Sequence, residues 1–268
     1  MMLRFIKMNG AGNDFVMIDN RSGDIRLAPA QISRICDRHS GVGADGILLL
    51  EKPQNGADFR MRYYNRDGGE AEMCGNGARC FARFAKKIAG AQNDIRFETP
   101  AGIIGAHLHD DLVTLEMSEP RDLRLSIGLV ANDQKEVVHF INSGVPHAVI
   151  PVPKVDDVDV RRRGEAIRRH REFAPQGANA NFVEKRGRKK VAIRTYERGV
   201  ENETLACGTG VVASALIFAA TENVDGPISV IVRSGSELSV DFQRDGDQFH
   251  EVTLTGPAEF VFEGDIEV

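Results

Sequence analysis

A stretch that occurs twice limits what this chain can fold into more than any other feature. Glu70–Phe84 reads EAEMCGNGARCFARF, and Glu203–Phe218 reads ETLACGTGVVASALIF. Each copy has a Glu four residues before a Cys, then Gly-x-Gly, then a run with helical periodicity. A Cys at a glycine-flanked helix start sits beside backbone N–H groups that have no partner within the helix. It also sits at the positive end of the helix dipole, and both effects favour a thiolate. Two such cysteines in one chain point to a pair of sulfur acid/bases.

The surrounding residues repeat in the same order. Gly12 and Gly144 are 132 apart, Gly41 and Gly177 are 136 apart, and Cys74 and Cys207 are 133 apart. Nearly constant spacing indicates an internal duplication. The expected order in the first half is strands at 3–8 and 15–19, a helix at 30–38, strands at 47–51 and 59–64, and a cysteine helix at 75–88. The second half reads strands at 137–142 and 147–152, a helix at 161–170, a loop at 177–181, strands at 182–185 and 191–197, and a cysteine helix at 208–220. Strands follow each cysteine helix. The segment around 119–131 is the expected boundary. Two such halves can pack about a pseudo-twofold axis, bringing equivalent helix N-termini face to face.

The bulk numbers remove several classes of function. A length of 268 residues allows one large domain or two ordinary ones. A net charge of −5 argues against nucleic acid or an anionic membrane as partner. The basic runs at 161–163, 168–171 and 185–190 read as solvated helix faces and a hairpin tip. The longest apolar run, Val211–Ala220, is too short to span a bilayer. No signal peptide is recognisable, and four cysteines make no disulfide framework. Free thiols and a cytoplasmic location are expected.

Other motifs carry less. Gly41-Val-Gly-Ala-Asp-Gly46 matches the spacing of a dinucleotide fingerprint, but a helical segment precedes it and an apolar strand follows. The fingerprint needs the reverse order, so this is a structural turn. Cys36 and Cys80 read as buried packing thiols on helix faces. His39, His107 and His109 have no ligand set around them, and neither a metal nor another cofactor is expected. For Cys74 and Cys207, a bland reading as small residues before a tight helix start leaves the retention of Cys in both copies unexplained. Glycines at these positions also let an anionic group approach the backbone donors closely.

A thiolate facing a thiol across a ligand can invert a carbon stereocentre without a cofactor. One sulfur removes a proton from one face, and the other delivers a proton to the opposite face. The carbanion that forms beside a carboxylate needs its charge held, and two helix N-termini aimed at that carboxylate would do so.

The stretches Asn9–Phe15 (NGAGNDF), Met73–Arg79 (MCGNGAR), Tyr196–Gly199 (YERG) and Glu203–Gly210 (ETLACGTG) together resemble the diaminopimelate epimerase family, in order and over essentially the whole chain. The resemblance implies interconversion of LL- and meso-2,6-diaminopimelate, without pyridoxal phosphate or metal, in lysine and cell-wall precursor synthesis. It implies an α/β (α+β) fold of two pseudo-symmetric domains, each a barrel-like, mostly antiparallel sheet around a central helix. The domains would be 1–118 plus 258–268, carrying Cys74, and 119–257, carrying Cys207. A homodimer is also implied. Carried over by position, Cys74 and Cys207 are the acid/bases. Gly75-Asn76 and Gly208-Thr209 offer N–H groups to the reacting carboxylate. Asn13, Asn65, Asn179, Glu197 and Arg198 hold the distal amino-acid end. His147 and Glu197 support the reacting centre by binding its amino group or tuning the thiols.

Three departures from the family pattern surround the substrate positions. Val145 replaces a usual Asn, Gly46 replaces a frequent Gln, and the loop Arg198–Glu203 is one residue longer. The alternative within the same fold is a proline or hydroxyproline racemase. Asn76 and Tyr196-Glu197-Arg198 favour the substrate with a second amino-acid head. A Cys74–Cys207 redox switch and a silent ligand-binding protein are the readings from other classes. A disulfide between these cysteines would be an inactivated form.

Overall fold

Alternating apolar residues near the N-terminus form β1 (Met2–Gly10) and β2 (Asn13–Asp19), an antiparallel pair, in the computed structural model, which describes residues 1–268. Pro29 at the first helical turn, with Gln31 reaching back to the Ala28 N–H, starts α1 (Pro29–Cys36). Its Ile32, Ile35 and Cys36 pack on Val16, Ile18, Ile47 and Leu49. The continuous apolar run 46–50 is β3 (Gly46–Glu51), parallel to β2 and antiparallel to β4 (Phe59–Asn65). A two-residue strand, β5 (Glu70–Ala71), leads into α2 (Gly75–Ala89). Then β6 (Asp94–Thr99) runs parallel to β4, followed by β7 (Gly102–His109) and β8 (Leu112–Glu116).

The second half repeats this plan. β10 (Gln134–Asn142) and β11 (Pro146–Pro151) pair antiparallel, and α3 (Val160–Arg168) precedes β12 (Asn179–Gly187), which is parallel to β11. β13 (Lys190–Glu197) returns antiparallel, and β14 (Asn202–Thr204) leads into α4 (Gly208–Glu222). β15 (Ile228–Ile231) lies parallel to β13, before β16 (Glu237–Asp245) and β17 (Gln248–Pro257). Both cysteine helices have fifteen residues.

The chain divides into unit 1, Met1–Leu115 with Gly256–Val268, and unit 2, Glu116–Thr255. The segment expected as a boundary contains a strand, β9 (Arg121–Ala131), rather than a linker. β9 pairs antiparallel with β10, as β18 (Glu259–Glu267) pairs with β1. The outer edge of β1 is thus covered by the end of the chain, and that of β10 by the strand just before it. The expected loop at 177–181 is shorter, because Asn179 already pairs with His147 as part of β12.

Each cysteine helix forms the centre of its unit. α2 packs against β1, β2, β3, β4 and β7, and α4 against β10, β11, β12, β13, β15 and β16. α2 buries Phe81 and Phe84 and leaves Lys86 and Lys87 exposed near its C-terminus, where cations suit the dipole. α4 is apolar on every side and is buried from Gly210 to Ala219. A helix with no polar face has only the interior to occupy. Gly90 ends α2 and Asn223 ends α4, both left-handed. No helix is long and apolar enough to cross a membrane.

Candidate active site

Both cysteines occupy the residue that opens a central helix. Cys74 has φ −140° and ψ 118°, Cys207 has φ −120° and ψ 109°, and each carbonyl accepts the first helical hydrogen bond. Helix openings usually carry Ser, Thr, Asp or Asn, whose side chains satisfy a first-turn N–H. Here neither cysteine side chain makes such a bond. The first-turn donors and the dipole remain directed at whatever anion sits beside the sulfur. All four cysteines are free thiols. Cys36 and Cys80 are buried, and burial pushes both thiols up to about 12, which leaves them inert packing groups.

The second glycine of each motif has a packing role that the sequence reading missed. A Cβ on Gly210 would lie 2.5 Å from Asn181 Oδ1 and 3.3 Å from Cys207 Sγ. On Gly77 it would meet Leu48 Cδ1 at 3.1 Å. These glycines let the helix seat against the strands. Gly46 is explained in the same way, since a Cβ there would lie 2.6 Å from the Tyr63 ring.

Around Cys74, the side chain of Asn76 is buried and donates to Asn13 Oδ1 at 2.6 Å. Asn13 in turn donates to Asp45 Oδ2 at 2.9 Å. Asp45 and Asp14 share Arg38. Burial raises the Asp14 pKa, but Arg38 and Lys7 outweigh it and hold the carboxyl below its usual range. Asn65 is exposed at the end of β4, opposite Gly46 in register. Asn13 and Asn76 are thus joined directly, and Asn65 stands on the adjoining strand.

Arg79, quoted in the motif but given no role, is fully buried one turn into α2. Its guanidinium donates to Asn76 Oδ1 at 2.8 Å and to the Pro257 carbonyl at 3.2 Å, and it makes no ion pair. Burial lowers its pKa, while the charges of Cys80 and Cys74 favour the cation. Arginine stays protonated in such a setting, so unit 1 keeps a positive charge beneath the Cys74 helix start.

Around Cys207 the chemistry differs. Thr209 Oγ1 lies 3.6 Å from Cys207 Sγ and 2.9 Å from His147 Nε2. Asn181 donates to His147 Nδ1 at 3.0 Å and to the Ala148 carbonyl at 3.1 Å, and accepts from Thr195. Because Nδ1 accepts, Nε2 carries the proton and donates to Thr209, whose hydroxyl hydrogen is then directed at the sulfur. Burial, then the Arg198 charge, lowers the His147 pKa to about 3, so the ring is neutral. His147 is wholly inside, with both nitrogens engaged, and reaches the sulfur through Thr209.

Glu197 ends β13. It accepts from Thr204 Oγ1 at 2.8 Å and from the Cys207 thiol, while burial raises its pKa. Asn179 uses its Oδ1 to accept the Arg198 N–H at 2.7 Å and its amide to reach the Pro146 carbonyl at 3.3 Å, so it orients the Glu197–Arg198 corner. The longer loop that follows is pinned by Glu201, which accepts from Arg168 at 3.0 Å. Asn181 is the residue in this group that sequence reasoning missed.

The register aligns the two settings. Phe15 pairs with Gly46 as His147 pairs with Asn179, and Arg79 corresponds to Val212. Unit 1 therefore sets an apolar ring and a buried cation near its sulfur. Unit 2 sets a polar ring, an amide and a carboxylate near its own.

Comparison with known proteins identifies the family. The sequence model of the family described as diaminopimelate epimerase matches residues 5–122 and 139–261. Diaminopimelate epimerase from Aquifex aeolicus is 42% identical over 278 residues, covering 98% of this chain and 97% of that protein. The enzyme of that name from Chlorobaculum tepidum is 43% identical over 263 residues, covering 97% and 99%. Among solved structures, a phenazine biosynthesis protein of the PhzF family from Bacillus anthracis superposes with a TM-score of 0.73 at 17% identity, over the full length of both chains. A hydroxyproline epimerase from Agrobacterium vitis gives 0.72 at 17% identity, covering 99% of this chain and 91% of that one. These structures share the two-domain α/β fold. With both cysteine motifs inside a match that spans nearly its whole length, this chain belongs to the diaminopimelate epimerase family.

Proposed function

We propose that this chain interconverts LL- and meso-2,6-diaminopimelate by a two-base mechanism in which Cys74 and Cys207 exchange roles. The observation that carries this reading is the pair of cysteines at helix openings, in a chain about 42% identical to proteins named for this reaction. One sulfur enters as thiolate and takes the α-proton. The other enters as thiol and gives its proton to the opposite face, leaving with the charge the first one lost. The substrate carboxylate would rest on the N–H groups at Gly75-Asn76 and Gly208-Thr209, where the helix dipoles offset the carbanion's charge.

The two surroundings suggest which sulfur starts as thiolate. A buried cation lies beneath Cys74, whereas the Cys207 thiol donates to Glu197. In the resting protein Cys74 is the base and Cys207 the acid. Asn13, Asn65, Asn179, Glu197 and Arg198 would serve the distal amino-acid head, with Asn13 and Asn179 acting through the groups they orient. The two halves of the chain would each supply one sulfur. A homodimeric assembly in the cytoplasm belongs to the same reading.

The test is proton exchange in deuterated water. LL-diaminopimelate should give meso product carrying solvent deuterium at one α-carbon, with no added cofactor. Cys74→Ser and Cys207→Ser should each lose at least about a hundredfold in epimerisation rate. Exchange with proline and none with diaminopimelate would overturn the reading in favour of a racemase.

A further inference from the structure

One position in the duplicated plan is filled in unit 2 and open in unit 1. On the α1 side of β3 and β4, Arg62 lies opposite Leu49 and forms a two-pronged ion pair with Glu70 at 2.9 Å. Its counterpart 132 residues later, Arg194, makes the same pair with Glu203. Arg194 has further acceptors. Its Nη1 donates to the carbonyls of Val155 and Val158 at 2.9 and 3.0 Å, in the turn that follows β11. That turn is anchored by Glu184, which accepts the Val155 N–H at 2.9 Å.

The matching loop of unit 1 starts alike and then diverges. The Asn20 N–H reaches the Leu50 carbonyl at 2.8 Å, as the Val152 N–H reaches that of Val183. Asn20 then folds its amide onto Glu51 and the Ile25 carbonyl, so the loop turns away. Arg62 Nη1 makes only a long ion pair, with Glu51 at 3.8 Å, in place of the two carbonyls. Beside Arg62 lies a cavity of about 590 Å³, whose lining includes Arg21, Arg26, Lys52, Arg60, Arg62 and Glu51 along with apolar residues of the Asn20–Leu27 loop.

We propose that this cavity binds a small multivalent oxyanion, held by Arg62 Nη1, Arg60 and Lys52. Two features of the molecule support it. The first is the internal comparison, in which the duplicate supplies oxygen acceptors to the equivalent arginine. The second is charge. Asp19 chelates Arg21 and Glu70 chelates Arg62, whereas Arg60 and Lys52 are in neither ion pair, the Arg60 charge acting on Glu70 and Glu98 only through space. Within this concave site five cations face a single lining carboxylate, Glu51. Guanidinium groups match the geometry of phosphate and carboxylate oxygens, and several converging cations favour a ligand with more than one charge. The site is built from unit 1 alone and does not depend on the epimerase reading.

Calorimetric titration of the whole protein with pyrophosphate, and separately with citrate, tests this at low ionic strength. The expected result is saturable binding of at least one probe, with the two arms separating a phosphate site from a carboxylate site. Arg60→Gln and Lys52→Gln, tested singly, should each weaken binding about tenfold. Arg161→Gln and Arg162→Gln, which remove the same charge from α3, should leave it unchanged. No saturable binding of either probe overturns the proposal. So does binding that survives the Arg60 and Lys52 changes, or an equal loss in the α3 controls.

Discussion

Replacing Arg79 by Met would remove the buried cation while keeping a long apolar stem. The Cys74 thiol should then ionise at higher pH, read from the pH dependence of alkylation at that thiol. An unchanged profile would show that the helix start alone sets the Cys74 charge. His147 predicts a different pH effect. In the folded chain it stays neutral down to about 3, whereas unfolded histidine takes up a proton near 6.5. Between those values the unfolded state binds the extra proton, so stability is complete above about 6.5 and falls as pH drops toward 3. The effect is worth up to about 5 kcal/mol. A His147→Phe, Asn181→Leu double variant, which copies Phe15 and Leu48 of unit 1, should flatten that slope in denaturant titrations across pH, and epimerisation should slow because Thr209 loses its partner. The cysteines were legible in the sequence because a helix opening is a local event. Arg79 and Asn181 were not, because their partners are Pro257 and His147, distant in the chain.

At the scale of elements, the glycines after each cysteine divide between ligand access and packing. Gly210→Ala places a methyl group against Cys207 Sγ and against Asn181 Oδ1, whose amide is fixed by Ala148 and Thr195. It should cost about 1–3 kcal/mol and most of the activity. Gly77→Ala meets the end of the Leu48 side chain at 3.1 Å, where a shift of a few tenths of an ångström relieves it, and should cost less. Thermal melts of the two variants check the order, and the reverse order would contradict it. Both cysteine helices and most long strands were readable from periodicity. β5 and β14 were not, since two or three residues carry no period, yet each leads its chain toward a cysteine. β9 was hidden for another reason. Most of it is exposed, and Asp122 and Ser126 have positive φ, so no alternation marks it as a strand.

For the whole molecule, the duplication was visible as a spacing, but the way each copy is completed was not. Nothing local in residues 259–267 says that they pair with residues 2–9, because strand partners are chosen by the finished sheet. Removing residues 259–268 should strip β1 of this neighbour and destabilise unit 1, while unit 2 keeps β9 beside β10. Hydrogen exchange would show the loss as faster exchange in residues 2–109 with little change in residues 121–242. Uniform acceleration would mean that the two units share one cooperative transition. The pairing of β18 with β1 also sets an order of events during synthesis. The half of the protein that leaves the ribosome first is the half that is finished last. Unit 1 must wait, with β1 exposed along one edge, until all of unit 2 has been translated, whereas unit 2 has its own covering strand in hand before its first hairpin is made.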